Sequence, residues 1–371
     1  MALHPPAAPG MTLADVDTPA LILDLDLFDR NLATMRDAVR GSGVRLRPHA
    51  KSHKCPEIAK RQIALGAIGI CCQKVSEAEA FVDAGVRDVH IANEVIGAQK
   101  VKRLAQLARR ARVAVCVDDP RGVAELSHAA DAAGVVIDVL VELDVGAGRC
   151  GVAPGDSAIQ LARAVKNAPY LRFCGLQGYQ GAAQHVRTAF DRRVAIERAT
   201  GLVKATRDAL ARYNIACDTV TGAGTGSFLF ETASRVYNEI QPGSYIFMDA
   251  DYARNDWTGF PRFEQSLFVL TTVMSTPGRE RVIVDAGLKA SSIDSGMPLV
   301  AGWAGLEYAK ASDEHGVVTV AAGSRAPELG AKLRLVPGHC DPTVNLYDHI
   351  VAVRDDRVEA IWQVSARGAV W

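Results

Sequence analysis

Lys51 stands in the run Arg47-Pro48-His49-Ala50-Lys51-Ser52-His53-Lys54. Neighbouring cations and partial burial both lower an amine pKa, and an amine so lowered can attack an aldehyde near neutral pH to form a Schiff base. For an arbitrary lysine a solvated basic turn is the plainer reading, so the case rests on what accompanies it. Two segments, Thr221-Gly222-Ala223-Gly224-Thr225-Gly226-Ser227 and Gln241-Pro242-Gly243-Ser244-Tyr245, offer the backbone N–H groups and hydroxyls that cradle a phosphate. One glycine-rich loop is usually just a turn; two at corresponding places carry more. No G-x-x-x-x-G-K-[ST] run is present, so P-loop nucleotide binding is not expected.

A third feature is Pro337-Gly338-His339-Cys340-Asp341-Pro342-Thr343. Taken as an extended segment, it projects His339 and Asp341 to one side and Cys340 to the other. One imidazole and one carboxylate leave most positions around a divalent ion open, which suits Mn2+ or Mg2+ used as a Lewis acid. An ordinary turn whose Asp caps backbone groups explains the same residues equally well. Arg149 lies in Asp144-Val145-Gly146-Ala147-Gly148-Arg149-Cys150-Gly151, where glycines let the backbone approach a ligand and the guanidinium could hold a phenolate or carboxylate. Tyr179 could line a pocket and His185 could move protons, although each alone is more often structural.

Something must bring these residues together. From Val44 onward short apolar runs alternate with amphipathic stretches, the pattern of repeated βα units. Strands are expected at Val44–Pro48, Ala67–Cys72, Asp88–Ile91, Val113–Val117, Ile137–Leu143, Leu171–Gly178, Cys217–Thr221 and Asn238–Ile240. Between them lie helical patterns such as Glu57–Leu65, Ser76–Ala84, Pro120–Ala133 and Phe190–Ala211, several closed by a glycine (Gly66, Gly85, Gly134). A (β/α)8 barrel and an open doubly wound sheet share this local signal. The barrel is favoured because His49, Lys51, Gln73, Asn93, Asp118, Arg149, Gln177, Tyr179 and Gly222 to Thr225 all follow a strand, where a barrel gathers its active site. After Phe263 the pattern changes to strands without helices, punctuated by Pro277-Gly278, Pro337-Gly338 and Asp355-Asp356. The expected fold is therefore α/β: a (β/α)8 barrel over 19–263 and a smaller antiparallel β domain over 264–371, completed by the N-terminal strand within 12–25.

A chain of 371 residues with 49% hydrophobic residues can bury a large core. Its formal net charge of +0 gives no overall attraction to nucleic acid or anionic membrane. No apolar stretch approaches the ~18 residues of a membrane span, and Met1 to Met11 lacks the pattern of a signal peptide, so a cytoplasmic protein is expected. Eight cysteines without a C-x-x-C pair argue against a disulfide scaffold or a structural zinc site.

Taken together, Thr18-Pro19-Ala20, Pro48-His49-Ala50-Lys51-Ser52-His53-Lys54, Gly146-x-Gly148-Arg149-x-Gly151, Gly222-x-Gly224-Thr225, Pro242-Gly243-Ser244-Tyr245 and Pro337-Gly338-His339-Cys340-Asp341-Pro342-Thr343 resemble the D-threonine aldolase and D-serine dehydratase-like family. The resemblance implies an alanine-racemase-type fold carrying pyridoxal 5'-phosphate (PLP), in a homodimer whose partner subunit borders the active site. It implies that Lys51 carries PLP, that Arg149, Tyr179, Gly224, Thr225, Gly243, Ser244 and Tyr245 surround it, and that His185, or water on the metal, is the base. His339 and Asp341 resemble the metal ligands. In the dehydratases of the family the second ligand is Cys, with zinc; in the aldolases it is Asp, with Mn2+ or a similar hard cation such as Mg2+ or Co2+, in keeping with ligand softness. The implied activity is that of a lyase cleaving D-threonine and related D-β-hydroxy-α-amino acids to glycine and an aldehyde. The alternatives are a dehydratase of D-serine or 3-hydroxy-D-aspartate and, from another class, a PLP-carrier protein without turnover.

Overall fold

The structure, a computed structural model, describes residues 4–371. Strand β1 (Ala20–Asp24) leads directly into helix Leu25–Val39, and the last residue of the strand caps the helix: the Asp24 carboxylate accepts from the N–H groups of Asp26 and Leu27. The next eight strands are β2 (Arg45–Leu46), β3 (Ile70–Cys72), β4 (Asp88–Glu94), β5 (Arg112–Val117), β6 (Ile137–Glu142), β7 (Leu171–Gly178), β8 (Thr219–Gly222) and β9 (Glu239–Ile240). They pair in parallel in the order β2-β9-β8-β7-β6-β5-β4-β3. The two ends meet through a parallel bridge between His49 and Cys71, with the Cys71 N–H donating to Pro48 O at 2.8 Å and the Ile68 N–H to Leu46 O at 3.0 Å. The sheet is therefore closed into a barrel, as the alternation of runs predicts.

The helices around it begin and end where local chemistry dictates. Pro56–Ala64 and Pro120–Ala133 start with proline, whose missing N–H is unneeded in the first turn. Gly134 ends the second in the left-handed region at φ 65°. Helix Ala189–Arg212 is capped by the Thr188 hydroxyl, which accepts from the Asp191 N–H. Aliphatic side chains such as Ile70, Val89, Val115, Val139, Leu161 and Val203 fill the layer between strands and helices. Inside the barrel the residues are polar. Near the N-terminal ends of the strands, Arg47 holds Glu239 at 3.1 Å and Asp88 at 2.6 Å. Nearer the C-terminal ends stand Glu142, Gln177, Thr221 and Gln241, all buried.

The remaining strands are β10 (Leu267–Ser275), β11 (Arg281–Val284), β12 (Leu299–Val300), β13 (Leu306–Ala311), β14 (Gly316–Val320), β15 (Lys332–Val336), β16 (His349–Arg354) and β17 (Arg357–Gln363). They form one sheet with β1, ordered β13-β14-β11-β10-β1-β16-β17, with β15 also on β10 and β12 on β15. β1 sits in the middle, antiparallel to β10 (Ala20 opposite Leu270) and parallel to β16 (Ile22 opposite Val351). All other pairs are antiparallel. β12 and β13 are absent from the sequence expectation. β13 is an edge strand with only Tyr308 buried, so it carries no apolar alternation to read. Leu21, Phe28, Tyr245, Phe247, Leu267, Leu335 and Trp362 belong to one apolar cluster that packs this sheet against the barrel. No described helix is long and apolar enough to cross a membrane.

Gly175 in β7 has φ +148°, and a Cβ there would collide with the Thr219 carbonyl of β8. Gly175→Ala should therefore separate β7 from β8 and lower stability by at least about 3 kcal/mol. A thermal melt unchanged from the parent would contradict the close packing at this strand pair.

Candidate active site

A cavity opens at the C-terminal ends of the barrel strands, lined by residues that include Lys51, Ser52, Arg149, Tyr179, Gly224, Thr225, Gly243 and Ser244. The strand-following residues His49, Gln73, Gln177 and Gln241 line it as well. Lys51 is presented by a 3-10 turn, Ala50–Ser52, in which the Lys51 N–H donates to the His49 imidazole at 3.4 Å. His49 accepts through Nδ1 and meets the Gln73 amide through Nε2 at 2.9 Å, and burial, then the Lys51 charge, push its pKa well below the ordinary value.

The glycine-rich loops border the cavity because nothing larger fits. A Cβ on Gly224 would strike the Gln184 amide, and one on Gly243 would meet Ser52 Oγ and the His49 carbonyl. The Thr225 hydroxyl accepts from the Tyr245 N–H at 3.0 Å and so ties the two loops together. Tyr245 itself departs from the expected cofactor shell. Its ring packs against Phe263 and its hydroxyl accepts from Gln62 at 3.0 Å, in the apolar cluster behind the loop. Behind the first loop the Gln184 amide donates to Ser227 Oγ at 2.8 Å, and Ser227 donates to Glu231 at 2.9 Å.

The segment 337–343 is not extended, as its reading as a strand requires. His339 has extended backbone angles, but Cys340–Val344 forms a short helix with Asp341 in its first turn. Pro342 is at home there, because a first helical turn has no use for its N–H. The Cys340 N–H donates to Asp249 at 3.0 Å, and the helix packs on the turn that carries Lys51. As a result the Asp341 carboxylate meets the Lys51 ammonium, a contact between residues 290 apart in sequence. Its other oxygen, Oδ1, is buried without a hydrogen-bond partner, as is Ser52 Oγ. His339 Nδ1 is 2.8 Å from the Asp294 carboxylate, which fixes the ring and leaves Nε2 free.

The charge balance of this pair corrects the expectation for Lys51. Burial alone would lower its pKa, but the Asp341 carboxylate outweighs burial and raises it. Asp341 moves the other way: burial would raise its pKa, but Lys51 and His339 bring it down to about 2. The basic neighbours in sequence do not supply the field, since Lys54 turns away to Glu77 at 3.2 Å and to Asn345 at 3.0 Å.

Arg149 sits with its guanidinium 5.7 Å from the Tyr179 ring centre and 3.6 Å from Glu142. His185 stands beside the cavity behind Tyr252, with ring centres 6.2 Å apart. Its Nδ1 is 2.6 Å from Asp251, a carboxylate that Arg187 at 2.6 Å and Arg254 at 3.0 Å also hold. Asp251, Asp294, Glu142 and Ser52 go unnoticed in the sequence, because their roles come from tertiary neighbours. Only Gln177, at a strand end, carries a positional signal. Glu94, Asp118 and Cys150 bring one donor atom each within 4.8 Å of one another, and Asp118 accepts from the Gly151 N–H at 3.1 Å, anchoring the Arg149 loop.

A closed parallel barrel with a lysine, two glycine loops and an appended β sheet supplying His339 and Asp341 defines an alanine-racemase-type scaffold. The family described as alanine racemase, N-terminal domain, matches residues 23–251, and a putative serine dehydratase domain matches residues 266–353. The chain belongs to the D-threonine aldolase and D-serine dehydratase-like family. It is 54% identical to a D-threonine aldolase of Arthrobacter sp, over 99% of this chain and 97% of the relative. It is 48% identical to a 3-hydroxy-D-aspartate aldolase of Paracoccus denitrificans, over 98% and 95%. A D-threo-3-hydroxyaspartate dehydratase of Delftia sp. is 29% identical, over 95% and 98%. The crystal structure of D-threonine aldolase from Filomicrobium marinum superposes with a TM-score of 0.98 at 54% identity, covering 100% of both chains.

Burial lifts the Glu231 carboxyl from 4.5 to about 7, so it is neutral in the folded chain where the unfolded chain would ionise it. The stability this gives is complete below pH about 4.5 and is lost as pH rises through about 7. Glu231→Gln, which keeps an acceptor for Ser227 and carries no charge, should raise stability at pH 8 by on the order of 2–3 kcal/mol and change it little at pH 5. Melts of the two proteins that run parallel at both pH values would contradict this.

Proposed function

We propose that this chain is a carbon–carbon lyase that cleaves D-threonine and related D-β-hydroxy-α-amino acids to glycine and an aldehyde, with PLP on Lys51 and a divalent cation at His339 and Asp341. The observation that carries this reading is the meeting of the Lys51 amine, which lines the cavity, with the Asp341 carboxylate from a distant part of the chain. The residues fit both groups. Gly224 and Gly243 line the cavity as bare backbone, since a Cβ at either would strike Gln184 or Ser52, and the Ser52 hydroxyl beside Gly243 is unpartnered. Asp341 keeps one buried oxygen unsatisfied, and His339 turns a free nitrogen outward. An imidazole and a carboxylate without thiolate suit Mn2+, or Mg2+ or Co2+, better than zinc.

Bound PLP supplies an electron sink for the pair released when the bond between Cα and Cβ breaks. The chain's own residues do the rest. Arg149, stacked beside Tyr179, offers donors to the oxygen side of the cofactor, and Gly224, Thr225, Gly243 and Ser244 hold its phosphate. His185, its Nδ1 held by Asp251, or water on the cation would take the β-hydroxyl proton. Cβ then leaves as the aldehyde carbon, and Cα regains a proton to give glycine.

The same reading divides the chain near residue 264 into a cofactor-binding barrel (19–263) and a cation-holding β part (264–371) completed by 12–25. It takes the working unit as a cytoplasmic homodimer, which the eight free cysteines suit.

Given D-threonine, PLP and Mn2+, the protein should release acetaldehyde and glycine in equal amounts. Formation of 2-oxobutanoate would make it a dehydratase, and absence of either product a carrier. Lys51→Ala should abolish the visible absorbance of the bound cofactor, whereas Asp341→Ala should keep that absorbance and lose chelator-sensitive turnover. Asp294→Asn should weaken cation binding by about 10–100-fold, the usual effect of removing the partner that orients a ligating imidazole. Unaltered Mn2+ affinity in that variant would remove His339 from the site.

A further inference from the structure

Arg149 is the only arginine lining the cavity among the described residues, and it makes no hydrogen bond to another described side chain or carbonyl. A guanidinium carries five N–H donors in a rigid fork. One that is left so free would wander unless something behind it set its direction.

Glu142, the last residue of β6, is placed to do so. Its side chain is 4% exposed, and Oε1 faces Arg149 at 3.6 Å. Its other oxygen accepts from the Gln177 amide at 2.9 Å. The Gln177 carbonyl in turn accepts from Gln241 at 3.1 Å, and Gln241 also donates to the Thr221 hydroxyl at 2.8 Å. With its NH2 group donating to Glu142 and its carbonyl accepting from Gln241, the Gln177 amide can face only one way, and that fixes the direction of the whole chain of bonds. That chain runs from β6 across β7 and β8 to the residue after β9, directly under the cavity that Gln177 and Gln241 line.

Glu94 faces the same side chain, and burial raises the pKa of both carboxyls. Glu142 has Arg149 and Gln177 pointed at it, while both Glu94 oxygens are buried without a hydrogen-bond partner.

We propose that Glu142 is a positioning residue that aims the Arg149 guanidinium into the cavity and, through Gln177 and Gln241, ties that aim to the opposite strands of the barrel. This rests on the reading that PLP occupies the cavity, and the test separates the two. The full-length parent is titrated with PLP beside Glu142→Gln, Glu142→Asp and Asp138→Asn, and dissociation constant and visible absorbance maximum are read. Asp138 is the control: it lies on the same strand, but holds Arg112 at 2.9 Å and Arg172 at 2.5 Å, away from the cavity.

Glu142→Gln should bind PLP roughly tenfold more weakly and shift the absorbance maximum, as expected for loosening the hold on a guanidinium that contacts the cofactor. Glu142→Asp should fall between it and the parent, and Asp138→Asn should keep the parent's affinity and maximum. Parent-like affinity and maximum in Glu142→Gln overturn the proposal, and if that variant does not fold, parent-like values in Glu142→Asp overturn it. A loss of the same size in Asp138→Asn also overturns it, as a general effect of loosening β6. A parent that binds no PLP instead overturns the functional reading on which this one stands.

Discussion

The ion pair between Lys51 and Asp341 is the constraint around which the rest of the molecule is arranged. A carboxylate largely shielded from water, as Asp341 is, costs much unless a partner compensates it, and here each group moves the other's pKa in the direction that keeps the pair charged. The compensation works only if the turn after β2 and the short helix after β15 are pressed together. That in turn requires the sheet carrying β15 to dock on the barrel, which the apolar cluster of Leu21, Phe28, Phe247 and Leu335 enforces. Under the proposed function, a cation at His339 and Asp341 would compete with Lys51 for the same carboxylate, coupling the two positions through a single side chain.

Around that pair the functional side chains come in two layers. Arg149, His185 and His339 face the cavity or stand beside it, and each has a carboxylate behind it: Glu142, Asp251 and Asp294. The repetition has a physical basis. Cationic and imidazole side chains on loops lose their aim cheaply, and a buried or half-buried acceptor fixes a tautomer or a guanidinium plane at the cost of one acidic residue. Asp251 goes furthest, because Arg187 and Arg254 fix the carboxylate that fixes His185.

Much of this was legible in the sequence, and the division follows from range. β7 was read with its observed ends, Leu171–Gly178, and the other barrel strands within a few residues, because alternation and turn residues act locally. Lys51, Arg149 and the two glycine loops could be found by their position after strands. Three readings failed for want of tertiary neighbours. Lys51 was expected to have a lowered pKa from the cations beside it in sequence, but the decisive charge arrives from Asp341. Segment 337–343 was read as extended, because Pro-Gly-His gives no hint that Asp249 will cap Cys340. Tyr245 was placed at the cofactor because it follows Ser244, whereas Gln62 and Phe263 draw it into the core. The backing carboxylates left no local trace at all.

The central place of β1 has a bearing on how such a chain is made. It leaves the ribosome long before its neighbours β10 and β16, which are translated only at Leu267–Ser275 and His349–Arg354. Until then Ala20–Asp24 is an apolar ribbon with both edges unsatisfied, the kind of segment that nascent chains must shield from each other. All eight barrel strands precede β10 in the chain, so their residues are synthesised before the sheet around β1 can close. Lys51 and Asp341 can meet only once that later sheet has emerged.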